Sequence, residues 1–258
     1  TRKRSSAASD VYKRQFINPE DLITDEINSL LHHPGSLEIL DFAEGSIKLV
    51  SVRAKTSGLL VGRQIKELKN DLPDYETRIP AIYRNDELII PDGETVINDG
   101  DEVFFIADEK HISDVTRELQ QLESKYKNIY IAGAGNIGKS LAKKTNEDFN
   151  IKLIEKCEEQ SELANEALDN VLVLNADAAD KDFLDSESIQ DCDVFVAVTH
   201  DDESNVLCSL MAKKLGSKKT VTIINNEAYF DLVGKNELDI IISPVQITVS
   251  HILKYIRK

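Results

Sequence analysis

Tryptophan is absent from the 258 residues, methionine occurs once, and aromatic side chains make up only 6 %. Basic residues are scarce beside acidic ones, 31 Lys and Arg against 46 Asp and Glu, for a formal net charge of −15. That balance argues against a nucleic-acid partner, whose phosphates need a basic face. It argues equally against direct docking on anionic lipid. No run approaches the roughly 20 apolar residues that cross a bilayer, and no signal-peptide pattern is visible. The three cysteines, Cys157, Cys192 and Cys208, form no short pairing motif and read as reduced residues of a cytosolic protein. What is present, 41 % hydrophobic and 30 % charged residues, describes a soluble globular chain with room for two domains, each with its own core.

The first stretch does not read as part of a fold. "SSAASDVYKRQ", residues 5 to 15, has neither helical nor strand period and resembles the translation of a transposon adapter used in DNA library preparation. Residues 1 to 15 are therefore set aside from fold reasoning, with the natural protein expected to start upstream of Phe16. The next stretch repeats. "INPEDLITDEI" (17 to 27) resembles "ISPVQITVSHI" (242 to 252) at an offset of 225 residues. In both a Pro follows a small polar residue, a helix-start signal. The spacing suggests a long tandem repeat, in which residues 16 to 31 are the last helix of one unit and the C-terminal helix is its counterpart in the next.

Residues 36 to 122 read as a small α+β module. "SIKLVSVRA" (46 to 54) alternates as a half-buried strand. "SGLLVGRQIKEL" (57 to 68) is expected to be a short helix. Residues 79 to 107 predict three strands, with turns at Asn85-Asp86, Pro91-Asp92-Gly93 and Asn98-Asp99-Gly100. Residues 109 to 122 predict an amphipathic helix, and 123 to 127 a polar linker. From 128 to 258 six apolar runs alternate with helical stretches. This pattern predicts an α/β, Rossmann-like doubly wound parallel sheet.

"YIAGAGNIGKS" (130 to 140) follows the first of these strands directly. Gly133, Gly135 and Gly138 form G-x-G-x-x-G. Gly133 permits the tight turn, Gly135 lets backbone approach a diphosphate, and Gly138 lets the helix lie close to the sheet. The helix start favours phosphate. Glu155 ends the second strand 22 residues after Gly133, where a carboxylate accepts both ribose hydroxyls and favours NAD over its 2′-phosphorylated relative. Asp177 in "NADA" ends the third strand near the adenosine, and Thr199-His200 ends the fourth at the ligand edge of the sheet. "HDDESN" (200 to 205) reads as a helix cap by Asp201 or Asp202 with Glu203 in the first turn, rather than a metal set. His32-His33 reads as a loop pair before Pro34-Gly35 rather than a ligand set. No nucleophile–base set has motif support, so no catalytic residue and no metal ligand is assigned.

Taken together, "IYIAGAGNIGKSLA", "LIEK", "LNADAAD", "AVTHDDESNVLCSLMAKKLG" and "ISPVQIT" resemble the nucleotide-binding domain of RCK proteins, the regulators of potassium conductance. "SGLLVGRQIKEL" and "IPDGETVINDGDEVFFIA" resemble the C-terminal ligand module of the same family. The resemblance covers residues 16 to 258. It implies an RCK C-type module at 36 to 122 and a second N-type NAD-binding domain at 128 to 258. It also implies that most of a first nucleotide domain and a final C-module are absent from this sequence. Its functional implication is a cytoplasmic, homo-oligomeric gating ring, not an enzyme. The ring would bind NAD(H) or adenine nucleotides such as ATP and ADP, and control a separate potassium-translocating membrane subunit at the inner face of the plasma membrane. By position, Gly133, Gly135, Asn136, Ile137 and Gly138 would surround the diphosphate. Glu155 would hold the ribose, and Asp177, Ala178, Thr199 and His200 would line the rest. Many RCK domains carry an Arg on the fifth strand; "TVTIINN" (220 to 226) has none, which weighs against tight triphosphate binding, although Lys139 can supply one charge. Two rival readings are an NAD-dependent oxidoreductase and a channel-independent nucleotide-sensing adaptor. The first needs a second domain offering an acid or base, and the small module at 36 to 122 has only His111.

Overall fold

The computed structural model describes residues 18–42, 47–67, 77–85, 87–121, 125–226, 228–233 and 237–256. The segment read as adapter-derived lies outside them, as does Ile17 of the repeat. Helix α1 spans Pro19–His32. The Asn18 side chain caps it by accepting from the Glu20 N–H at 3.1 Å, and Pro19 occupies the first turn, where its missing N–H is not needed. Ile23, Ile27, Leu30 and Leu31 form its buried stripe. The helix does not stop before the histidine pair, as expected from sequence. His32 is its last residue and His33 its C-cap, with His33 Nδ1 2.8 Å from the Ser29 carbonyl. Imidazoles can bond the last helical carbonyls, so the helix runs up to Pro34.

The small module is an antiparallel sheet of β1 (Ser36–Phe42), β2 (Ile47–Arg53), β3 (Arg78–Arg84), β4 (Glu87–Ile89) and β5 (Glu102–Asp108), in the order β1-β2-β5-β3-β4. Strands β3, β4 and β5 are the three expected between 79 and 107. Strand β1 was not expected: Leu37, Ile39, Leu40 and Phe42 do not alternate cleanly, and a register shift interrupts its pairing between Ser36 and Glu38. Helix α2 (Ile112–Leu119) packs Ile112, Val115 and Leu119 into the module's core with Val50 and Phe105.

The helix expected over 57–68 is not there. Turns lead to one 3-10 turn at Ile65–Glu67, with single bridges from Val61 to Ile97 and from Gln64 to Val96. Two glycines explain this. A Cβ on Gly58 would lie 2.2 Å from the Leu119 carbonyl oxygen, so the chain is pressed against the end of α2. Gly62 has φ +84°, outside the helical region.

The larger lobe is a Rossmann-like six-stranded parallel sheet. Its strands are β6 (Asn128–Ala132), β7 (Asn150–Glu155), β8 (Val171–Asn175), β9 (Val194–Ala197), β10 (Lys219–Ile223) and β11 (Ile240–Ile242). Their order is β11-β10-β9-β6-β7-β8. The connecting helices are α3 (Asn136–Thr145), α4 (Glu158–Ala167), α5 (Lys181–Ser186), α6 (Asp202–Lys214) and α7 (Ala228–Leu232), and α8 (Pro244–Ile256) follows β11. Both faces of the sheet are covered, so Ile131, Leu153, Phe195 and Val196 are fully buried. The chain runs outward from β6 to β8, then returns to β9 on the other side of β6. The crevice at this reversal, beyond the carboxyl ends of β6 and β9, is where such sheets bind ligands.

Helix α1 packs against α3 and α8, and an ion pair joins Asp25 to Lys144 of α3. The two helices related by the 225-residue offset are thus neighbours. Where the chain passes between lobes, Gln120 Nε2 donates to the Gly35 carbonyl at 2.7 Å and Lys219 Nζ to the Ser36 carbonyl at 2.8 Å.

Candidate nucleotide site

The turn after β6 has the conformation its glycines suggest. Gly133 has φ +106°, and a Cβ there would approach the Thr199 backbone at 3.0 Å. A Cβ on Gly138 would lie 1.9 Å from the Gly133 carbonyl oxygen, so α3 rests directly on the turn. A Cβ on Gly135 would meet nothing within 4 Å. The space above Gly135 is open, and α3 begins immediately after it. The first N–H groups of α3 have no intrahelical acceptor.

That space is a cavity of about 440 Å³. Gly133, Gly135, Asn136 and Ile137 form one wall, and Glu155 stands at the end of β7. Asp177 and Ala178, after β8, and Thr199 and His200, after β9, complete it. Gly138 is the one expected site residue that does not line the cavity; it is buried under the turn. Lys139 lines neither this cavity nor its neighbour.

Four carboxylates reach the walls: Glu20, Glu155, Asp177 and Asp201. Glu155 is held by backbone, its Oε2 accepting from the Ala134 N–H at 2.7 Å and its Oε1 from the Cys157 N–H at 2.8 Å. Lys156 is the one cationic residue among those lining the cavity. It is paired with Asp177 at 2.6 Å. That bond and the Ala179 N–H hold the Asp177 carboxyl below the usual range. Asp201 caps α6 by accepting from the Ser204 N–H at 2.8 Å, and this bonding lowers its pKa. Asp202 accepts from the Asn225 and Asn226 N–H groups at 3.0 and 2.9 Å, and Glu203 from the Tyr229 hydroxyl. The "HDDESN" carboxylates are thus engaged in capping and loop bonds.

A second cavity of about 670 Å³ adjoins the first. Glu20, Ile137, Thr199, His200 and Asp201 line both. Beyond them lie Asn225 and Asn226 after β10, and Tyr229.

Residues 129–244 match the TrkA-N domain, and residues 49–120 match the TrkA-C domain. The chain thus carries one TrkA-N and one TrkA-C domain. It is 43 % identical over 258 residues to the Trk system potassium uptake protein TrkA of Halomonas elongata, covering all of this chain and 56 % of that protein. The Vibrio alginolyticus TrkA is 43 % identical over 243 residues, 94 % of this chain and 53 % of that one. The chain therefore spans about half the length of the curated relatives it matches. Among solved structures, the GsuK RCK domain superposes with a TM-score of 0.63 at 18 % identity, covering 93 % of this chain and 51 % of that one. The GsuK channel bound to NAD superposes with a TM-score of 0.60 at 17 % identity, covering 92 % and 41 %. At these identities the likeness establishes the fold.

Two residues of the cavity wall, Glu20 and Lys156, and a third that lines neither cavity, Asn205, are not among those expected from sequence. Glu20 comes from α1, more than a hundred residues upstream, and accepts from Asn136 Nδ2 at 3.0 Å. Lys156 follows the expected acid, and only the fold shows its partner. Asn205 is fully buried beneath the β9–α6 turn. Its Oδ1 accepts from the Thr199 N–H and hydroxyl at 2.8 and 2.7 Å, and its Nδ2 donates to the Thr199 and Ile223 carbonyls, each at 3.1 Å. The "DDESN" spacing could have suggested it, since position 205 lies one turn into α6 and faces the sheet.

Proposed function

We propose that this chain is the nucleotide-responsive part of a regulatory subunit that controls potassium uptake through a separate Trk-type membrane subunit. The cavity above Gly135 carries the reading. Its glycine turn, its free helix N-terminus and the anchored Glu155 suit a diphosphate and a ribose. The open space above Gly135 admits backbone approach. NAD(H) is the favoured ligand. The lining cation, Lys156, is already paired with Asp177, so the walls offer little to the added charge of ATP over ADP.

The NAD bound to the GsuK channel supports the ligand, and the likeness to Trk system potassium uptake proteins supports the transport role. In this reading α1 is the last helix of a preceding nucleotide domain and α8 its counterpart here. The assembled protein is a homo-oligomeric ring, peripheral on the inner face of the plasma membrane. Binding acts by favouring one arrangement of the lobes. A tenfold preference for one state is worth about 1.4 kcal/mol per site.

The test is growth at low potassium. Cells lacking their own Trk regulatory subunit would receive the full-length reading frame that contains this chain, with a compatible membrane subunit. Rescue by wild type and failure of nucleotide control in Gly135→Val are the expected results. No rescue despite expression would contradict the transport role.

A further inference from the structure

Glu20 places a carboxylate at the mouth of the phosphate turn, and it arrives on a helix that belongs to neither sheet. Its Oε1 accepts from Asn136 Nδ2 at 3.0 Å, and Asn136 opens α3 as the residue after Gly135. Glu20 also stands at the boundary of the two adjoining cavities. A dinucleotide running from Glu155 toward Asn225 would pass it. The start of α3, with its unpaired N–H groups and positive dipole end, attracts negative charge. In this structure one side-chain donor there, the Asn136 amide, already bonds an anion from α1.

We infer that Glu20 is a built-in competitor of the nucleotide's phosphates, so that seating of the first turn of α1 and occupation of the cavity oppose each other. The inference rests on the nucleotide reading above and adds a residue to it. A diphosphate at the turn would sit near the Glu20 carboxylate, and like charges at such range repel measurably even in a wet site. The ligand would therefore take the Asn136 amide only as Glu20 moves away. Helix α1 is short and continuous. Its first turn touches the nucleotide cavity, while Asp25, Ser29 and Leu30 further along it line the cleft against β1 and β2 of the TrkA-C module. Occupancy is thereby coupled to the contact between the lobes through one helix.

Glu20→Gln separates charge from bonding, because the Gln carbonyl still accepts from Asn136. Titration calorimetry of the full chain with NADH is the measurement. Glu20→Gln is expected to bind about threefold to tenfold more tightly than wild type, with the gap shrinking at high ionic strength. Glu20→Ala, which removes both charge and bond, is expected to bind at least as tightly as Glu20→Gln. Asp21→Asn is the control. Asp21 is on the same turn, lines neither cavity and bonds Asn18 Nδ2 at 2.9 Å, so its removal should change affinity by less than about twofold. Unchanged or weaker binding by Glu20→Gln, with wild type binding NADH, would overturn the inference alone. Absence of NADH binding by wild type and variants alike would overturn the nucleotide reading beneath it.

Discussion

Glu155 Oε2 accepts from the Ala134 N–H at 2.7 Å, tying the end of β7 to the glycine turn after β6. With Oε1 held by the Cys157 N–H, the carboxylate cannot swing out of the cavity wall without breaking two backbone bonds. The acid that sequence spacing assigns to the ribose is also the brace of the glycine turn.

This fixed charge predicts cofactor choice. A 2′-phosphate would meet Glu155 directly, and the adjacent Lys156 is held by Asp177. NADH is expected to bind about tenfold or more tightly than NADPH. Asp177→Asn, by releasing Lys156, should narrow that preference. Equal affinities in wild type, measured by calorimetry with both cofactors, would contradict the assignment.

The glycines should separate by role. Gly138→Ala forces a Cβ to 1.9 Å from the Gly133 carbonyl oxygen and is expected to cost about 2 kcal/mol or more. Gly135→Ala meets open space at φ −70° and should stay within about 0.5 kcal/mol of wild type. Urea unfolding of the two variants checks the contrast, and equal losses would sink it.

Asn205→Ala should be among the most destabilising changes in the TrkA-N lobe. The Thr199 N–H and the Thr199 and Ile223 carbonyls lose their bonds to this side chain, while the Thr199 hydroxyl keeps the Asp201 carbonyl at 3.2 Å. An expected loss of about 3 kcal/mol follows from leaving such groups unpaired. A loss under about 1 kcal/mol would mean that the β9–α6 turn holds itself.

Lys219 predicts a pH dependence at the lobe junction. Burial pushes its amine down to about 8, against about 10.4 for a free lysine. Between those values the unfolded chain holds the proton and the folded chain does not, so folding stability rises with pH through that window. Below it, the folded state carries the strain of a buried ammonium. The stability of wild type relative to Lys219→Met should therefore climb from about pH 8 to 10, by no more than about 1.4 kcal/mol per pH unit. A flat difference across that range would show Lys219 to be an ordinary solvated lysine.

Much of this architecture is legible in the chain. Parallel strands buried on both faces leave continuous apolar runs, so β6 to β11 stand out, and the glycine turn marks the one strand end where phosphate can approach. The module was harder. Residues 57 to 67 have a helix-like composition, but Gly58 is pressed on α2 and Gly62 needs positive φ, and neither fact is local. Strand β1 hid behind its register shift. Glu20 was invisible as a site residue because the contact between α1 and α3 joins segments separated by 116 positions. Charge partners such as Lys156 with Asp177 likewise depend on which strand ends lie side by side.

The central claim is that the cavity above Gly135 is a dinucleotide site. Calorimetric titration of NADH into wild type and Gly135→Val, with thermal melts of both, tests it most directly. Saturable binding to wild type is expected, and none to Gly135→Val at an unchanged melting temperature, because the valine side chain projects into space that is open in the folded protein. Retained binding by a folded Gly135→Val would place the ligand elsewhere, and no binding by wild type would remove the nucleotide from the account altogether.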